Sequence, residues 1–261
     1  MHDNGDIAVL RDLARQVAEI AGKDIQDQRR DLWRRHNSLQ RTRPLFYALG
    51  FPYWQEILPD EQLRCRDLLF RAHERSMRQM IYQDQIGDDS IIEPWITVGA
   101  TYATPTGSRR WGPEIRHVPS PERRGAWKFD PPIKTEADLA RLVRPVHKID
   151  EAATARDLAR MQDAVGDLIT VNLDRGCYYR HWVGDLSTDL ALLRGLEQMM
   201  WDMVDRPQWL HRLVGFLRDG VLAAQDQAEA KGDWRLCHHN NQAMPYSLEP
   251  VSYTHLTLPT N

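Results

Sequence analysis

The chain has 261 residues, 42% apolar and 27% charged, with a formal net charge of −3. That length can bury a sizeable core, as one α/β barrel or two smaller domains. The slightly acidic balance implies no general pull toward nucleic acid or an anionic membrane surface. No apolar run approaches the roughly 20 residues that span a bilayer. The N-terminal MHDNGDIAVLRDLAR lacks the basic start and apolar stretch of a secretory signal. Three widely spaced cysteines make no disulfide framework. The expectation is a soluble, cytoplasmic protein with no membrane and no nucleic-acid partner.

Ile7, Leu10, Leu13, Ala14, Val17 and Ala21 recur at helical spacing and predict a first amphipathic helix. A second helix is expected from Asp24 to about Ser38, stopped by Arg43-Pro44, with Pro44 to Leu49 extended. Pro59-Asp60 predicts the opening of a third helix to about Gln83, with Leu63, Leu68, Leu69, Ala72 and Met80 inward. Cys65 falls on the face of Leu69 and Ala72 and reads as core. Arg29, Arg30, Arg34, Arg35, Arg41 and Arg43, with Trp33, are a residue set that can bind phosphate and stack on bases. Asp24, Asp27 and Asp31 on the same helix favour a solvated face of paired charges instead.

The texture changes at Gly87-Asp88-Asp89. Ser90 to Val98 is rich in strand formers, although Pro94 argues against a central strand. The segments WGPEIRHV and GAWKFD predict a hairpin. Thr135 and Asp138 have capping-box spacing and predict a helix from Leu139. A longer helix is expected over about Asp150 to Val165, followed by a strand from Leu168 to Leu173 that ends at Asp174-Arg175-Gly176. Thr188 is expected to cap a helix running through Leu193, Leu196, Met199 and Met200. Pro207 starts another, with Leu210, Leu213, Val214, Leu217 and Val221 buried. Gly232-Asp233 ends that helix, and Trp234 to His239 reads as a strand. Strands alternating with helices long enough for crossovers predict a parallel α/β sheet.

The last eleven residues, Val251 to Asn261, contain no Lys, Arg, Asp or Glu and offer no packing face. They resemble translated sequencing-adapter DNA, so the expectation is a foreign tail on a natural reading frame cut near Pro250, with no role for Tyr253, Thr254 or His255.

PIKTEADLARL, LITVNLD and GLEQMMWDMVDRPQWLHRLVGFLRDGV resemble, in order and spacing, the middle of the uroporphyrinogen decarboxylase superfamily. The resemblance extends from about Asp24 to Pro250. It implies a (β/α)8 barrel preceded by helices. The expected organisation is an N-terminal helical region over 1–86, an incomplete TIM barrel over 87–250 and the tail over 251–261. The superfamily holds the haem-pathway decarboxylase, and methyltransferases that serve corrinoid proteins or thiols. The decarboxylase's RQAGR motif is replaced here by Arg41-Thr42-Arg43-Pro44. The resemblance therefore implies a methyltransferase-like enzyme with a corrinoid or thiol acceptor, zinc in the full-length protein, a small-molecule substrate and possible corrinoid-protein partnership. A fragment cut near Pro250 would itself be inactive. The alternatives are a tetrapyrrole decarboxylase, or a non-catalytic corrinoid-protein or nucleic-acid binder.

Barrel enzymes place chemistry at the C-terminal ends of their strands. After LITVNL, Asp174 is a candidate base or anion partner, Arg175 an anion clamp and Tyr178 a donor, against the bland reading of a strand-to-loop turn closed by an Asp–Arg pair. Glu93 is a candidate general base because it stands in an apolar strand. Asp88 reads as a solvated turn residue. After the last strand, Cys237 and His239 share a face and could supply half of a zinc site. His239, Asn241 and Gln242 are better read as a polar substrate-binding lining.

Overall fold

The computed structural model describes residues 4–48, 53–121 and 128–234. It is a mixed α/β structure that separates into two compact units which do not follow chain order. One unit combines Met1–Gly99 with Ala152–Asp174, and the other combines Ala100–Glu151 with Arg175–Trp234. Residues 1–86 thus share a core with later segments rather than standing alone.

In the first unit, helix α1 (Asn4–Ala21) buries Val9, Leu10, Leu13, Ala14 and Val17, as its period requires. Helix α2 (Asp24–Asn37) follows, then the single turn α3 (Trp54–Ile57). Pro59 opens only one 3₁₀ turn, Asp60–Gln62, and the expected long helix begins instead as α4 (Leu68–Ile86). Two buried carboxylates explain the delay. Glu74 accepts the backbone N–H groups of Arg64 and Cys65, and Asp6 accepts those of Arg66 and Asp67. Donors held by side chains cannot build a helical ladder. Asp67 then caps α4, accepting from the N–H groups of Leu69 and Phe70. Phe70, Glu74 and Met77 are the buried residues of α4; of the residues expected inward, Leu63 is buried and Leu69 and Met80 pack against the core, while Leu68 and Ala72 are exposed. Cys65 is buried as expected, in the extended segment before the helix.

Strand β1 (Trp95–Gly99) starts just after Pro94, whose carbonyl accepts the N–H of Thr170. A proline at a strand's first edge forfeits no ladder bond. Helix α5 is Glu151–Val165, matching its expected span. Strand β4 (Thr170–Asp174) pairs parallel with β1, from Trp95 opposite Thr170 to Gly99 opposite Asp174. The core beneath joins Leu10, Leu13 and Val17 to Phe70, Met77, Ile96, Val98, Met161 and Ile169.

In the second unit, β2 (Arg116–Val118) and β3 (Lys128–Asp130) form the expected antiparallel hairpin. The Thr135–Asp138 capping box is present, but it opens a 3₁₀ helix, Glu136–Arg141. Helix α6 (Leu186–Arg194) is capped by Asp185, not Thr188. The Asp185 carboxylate accepts from the Ser187 N–H and from the Thr188 hydroxyl. Gly195, at φ 87°, then separates α6 from α7 (Leu196–Asp205), dividing the single helix expected there. Leu196 and Met200 are exposed. Helix α8 (Pro207–Ala230) starts at its proline and buries Trp209, Leu210, Leu213, Leu217 and Val221, with Val214 partly covered. Of the strand expected over 234–239, all but Trp234 lies outside the described residues. Among the described residues there are two two-stranded sheets and no closed barrel. No described helix is long and apolar enough to cross a membrane.

Candidate functional site

Asp174 is the last residue of β4 and is buried. The chain leaves the strand there, and Arg175 sends its guanidinium into a compact ionic cluster of the second unit. Its Nε donates to Asp233 at 2.6 Å, and its two terminal nitrogens donate to the Glu151 carboxylate at 2.8 Å each. The other Asp233 oxygen lies 2.8 Å from Nε2 of His147. The His147 side chain is fully buried, Asp233 nearly so, and Glu151 is two-thirds exposed, so the cluster runs from interior to surface. Nδ1 of His147 is buried and makes no hydrogen bond.

The charges sustain one another. Burial alone would raise the pKa of Asp233, but the hydrogen bonds from Arg175 and His147 outweigh it and leave it lowered. Glu151 is lowered chiefly by its hydrogen bond from Arg175, and Arg175 is raised in return, first by Glu151 and then by Asp233. Arg175 was expected to clamp a substrate anion. All three of its nitrogens instead hold the protein's own carboxylates, of which Glu151 is the one a soluble anion could displace.

Aromatic rings line the same unit. Tyr102 stands edge-on to His147 and to Tyr178, with ring centroids 6.2 and 5.5 Å away, and its hydroxyl donates to the Gly176 carbonyl. The Tyr178 hydroxyl accepts the N–H of Gly107 at 2.7 Å and keeps its own proton to donate. Arg175 and Tyr178 therefore belong to one neighbourhood, together with three residues the sequence did not single out: His147, Glu151 and Asp233. The only hint of Asp233 was the Gly-Asp that ends α8, and nothing linked it to a histidine 86 positions away.

Glu93 is a correction. It precedes β1, at the N-terminal side of the strand, because Pro94 defers pairing to Trp95. Both its oxygens accept from Arg30, at 3.0 and 2.7 Å. Asp88 is also corrected: it is buried, not solvated, and accepts from the N–H groups of Ala48 and Ser90 and from Gln83. Asp89 is held below its ordinary range, first by its hydrogen bond from Arg43. The arginine-rich segment is mostly paired as its acids suggest: Arg30 with Asp27, Arg35 with Asp31, Arg43 with Asp89. Arg29 departs from that pattern, being buried 3.6 Å from Asp84. Cys237, His239, Asn241 and Gln242 lie outside the described residues. No protein-family model matches the chain, and neither a curated protein nor a solved structure matches it significantly.

Proposed function

We propose that the chain is part of a uroporphyrinogen decarboxylase-superfamily enzyme, built on a (β/α)8 barrel in which β1 and β4 are neighbouring strands, and acting as a methyltransferase on a corrinoid or thiol acceptor. The observation that carries this reading is the parallel β1–β4 ladder, whose C-terminal end is closed by Asp174 and continued by Arg175 and Tyr178. Such ends hold the chemistry of barrel enzymes.

In this reading Asp174 exchanges a proton with the reacting molecule, Tyr178 donates a hydrogen bond and Arg175 receives an anionic group in place of Glu151. Zinc would supply a bound thiolate. The described residues do not fit it: no group of three or more His, Cys, Asp or Glu among them is placed to hold a metal ion. Burial also pushes the Cys65 and Cys177 thiols up to about 12 and about 11, which holds both protonated. No step is therefore derived through the metal.

The test uses protein from the complete reading frame, assayed for zinc content and for methyl transfer to cob(I)alamin and to a thiol. Stoichiometric zinc and a kcat that Asp174→Asn lowers by about 100-fold or more are expected. Zinc-free protein without methyl transfer would overturn the methyltransferase reading. Turnover of uroporphyrinogen by the same protein would assign the decarboxylase in its place. Nucleic-acid binding that weakens steeply with salt would assign the binder.

A further inference from the structure

A groove of about 310 Å³ opens in the first unit between α1, α3 and α4, and the proposed activity makes no use of it. Its volume is at the small end of ligand sites. Buried Leu13 and Leu58 lie in its wall. Trp54 of α3 and Tyr82 of α4 meet edge to face, with centroids 5.7 Å apart, and offer an aromatic surface for a flat ring. Arg64 and Arg78 also line it. The guanidinium of Arg64 makes no ion pair among the described residues. Arg78 spends its Nε on Glu74 at 2.9 Å and keeps its terminal nitrogens. The groove's one carboxylate, Asp12, already accepts from Gln16 at 2.9 Å.

The backbone makes the arrangement firm. Glu74, fully buried, fixes the N–H groups of Arg64 and Cys65 and the Nε of Arg78 together, so one interior carboxylate holds the Arg64 backbone and the Arg78 side chain. Two forked donors beside an aromatic pair match a small, flat, anionic molecule: its carboxylate or phosphate between the arginines, its ring against Trp54 and Tyr82.

We propose that this groove is a binding site for a small aromatic anion, separate from the strand-end chemistry. The test titrates the 261-residue chain with benzoate and with adenosine monophosphate, and with their uncharged counterparts benzamide and adenosine, by saturation-transfer NMR. At least one anion should saturate below about 10 mM, a range ordinary for a small ligand. Its uncharged counterpart should bind about tenfold more weakly, the worth of a charge-assisted hydrogen bond. Benzoate alone would assign a carboxylate ligand, and the nucleotide alone a phosphate. Arg64→Gln, whose side chain is exposed and outside the core, should weaken binding about tenfold at unchanged circular dichroism. Tyr82→Ala should weaken it through the ring alone. Equal binding of charged and uncharged probes, indifference to both substitutions, or no saturation by either anion would overturn the proposal.

Discussion

Asp233 shows how one residue can hold a neighbourhood together. It is buried between a fully buried imidazole and a guanidinium, so its charge has no solvent to fall back on. Removing one partner of such a cluster strands the others, at a cost of about 3 kcal/mol. Asp233→Asn should therefore lower the urea midpoint at pH 7 without altering the slope; an unchanged midpoint would mean that the cluster is incidental to folding. The pH dependence has a definite sign. The folded-state pKa is lowered, so the stabilisation is complete above the unfolded carboxylate range, about pH 4, and is lost as pH falls through the folded value. The gap between wild type and Asp233→Asn should narrow on acidification below about pH 4 and stay constant just above it. Little of this cluster was legible in the chain. Arg175 and Tyr178 stood out because they follow a recognisable strand, whereas His147 and Asp233 meet only through tertiary contact.

At the scale of elements, α8 sets two preferences against each other. Gly220 lies inside the helix, where alanine would be favoured by about 1 kcal/mol. A Cβ there would stand 2.8 Å from Pro145 and 3.0 Å from the buried ring of Trp111. Overpacking of that kind costs about 1–3 kcal/mol. Since backbone-linked proline and a buried indole have little room to yield, Gly220→Ala should be destabilising, and a raised melting temperature would show that the contact relaxes. The helices themselves were largely readable, since α1 and α8 carry clear apolar periods. The misreadings share a cause. The start of α4 and the cap of α6 are decided by carboxylates that take backbone or hydroxyl donors: Glu74 and Asp6 in one case, Asp185 in the other. Proline and threonine were the visible cues, and both were local. Glu93 stands before its strand rather than in it for a related reason: the ladder begins one residue beyond a proline that reads as a flaw within a longer strand.

At the scale of the molecule, the two large apolar clusters share no member: one includes Leu10 and Phe70, the other Leu213 and Trp209. Leu10→Ala and Leu213→Ala each remove a fully buried side chain and should cost about 2–5 kcal/mol. Because neither side chain packs in the other's cluster, the double variant should lose the sum of the two within about 0.5 kcal/mol. A larger deviation in denaturant titrations would mean that the clusters are energetically joined. The division into clusters could not be read along the chain, because each unit draws on segments far apart in sequence. What the residues determined by themselves were the faces of α1 and α8, the hairpin and the proline start of α8, products of short-range periodicity and backbone sterics, and the parallel character of β1 and β4, which follows from the length of the connection between them. Only the tertiary structure decided which carboxylates meet which cations, where Glu93 stands relative to its strand, and that Arg64 and Arg78 face a common groove. Those outcomes depend on burial and on contacts between residues tens of positions apart, and no local pattern encodes them.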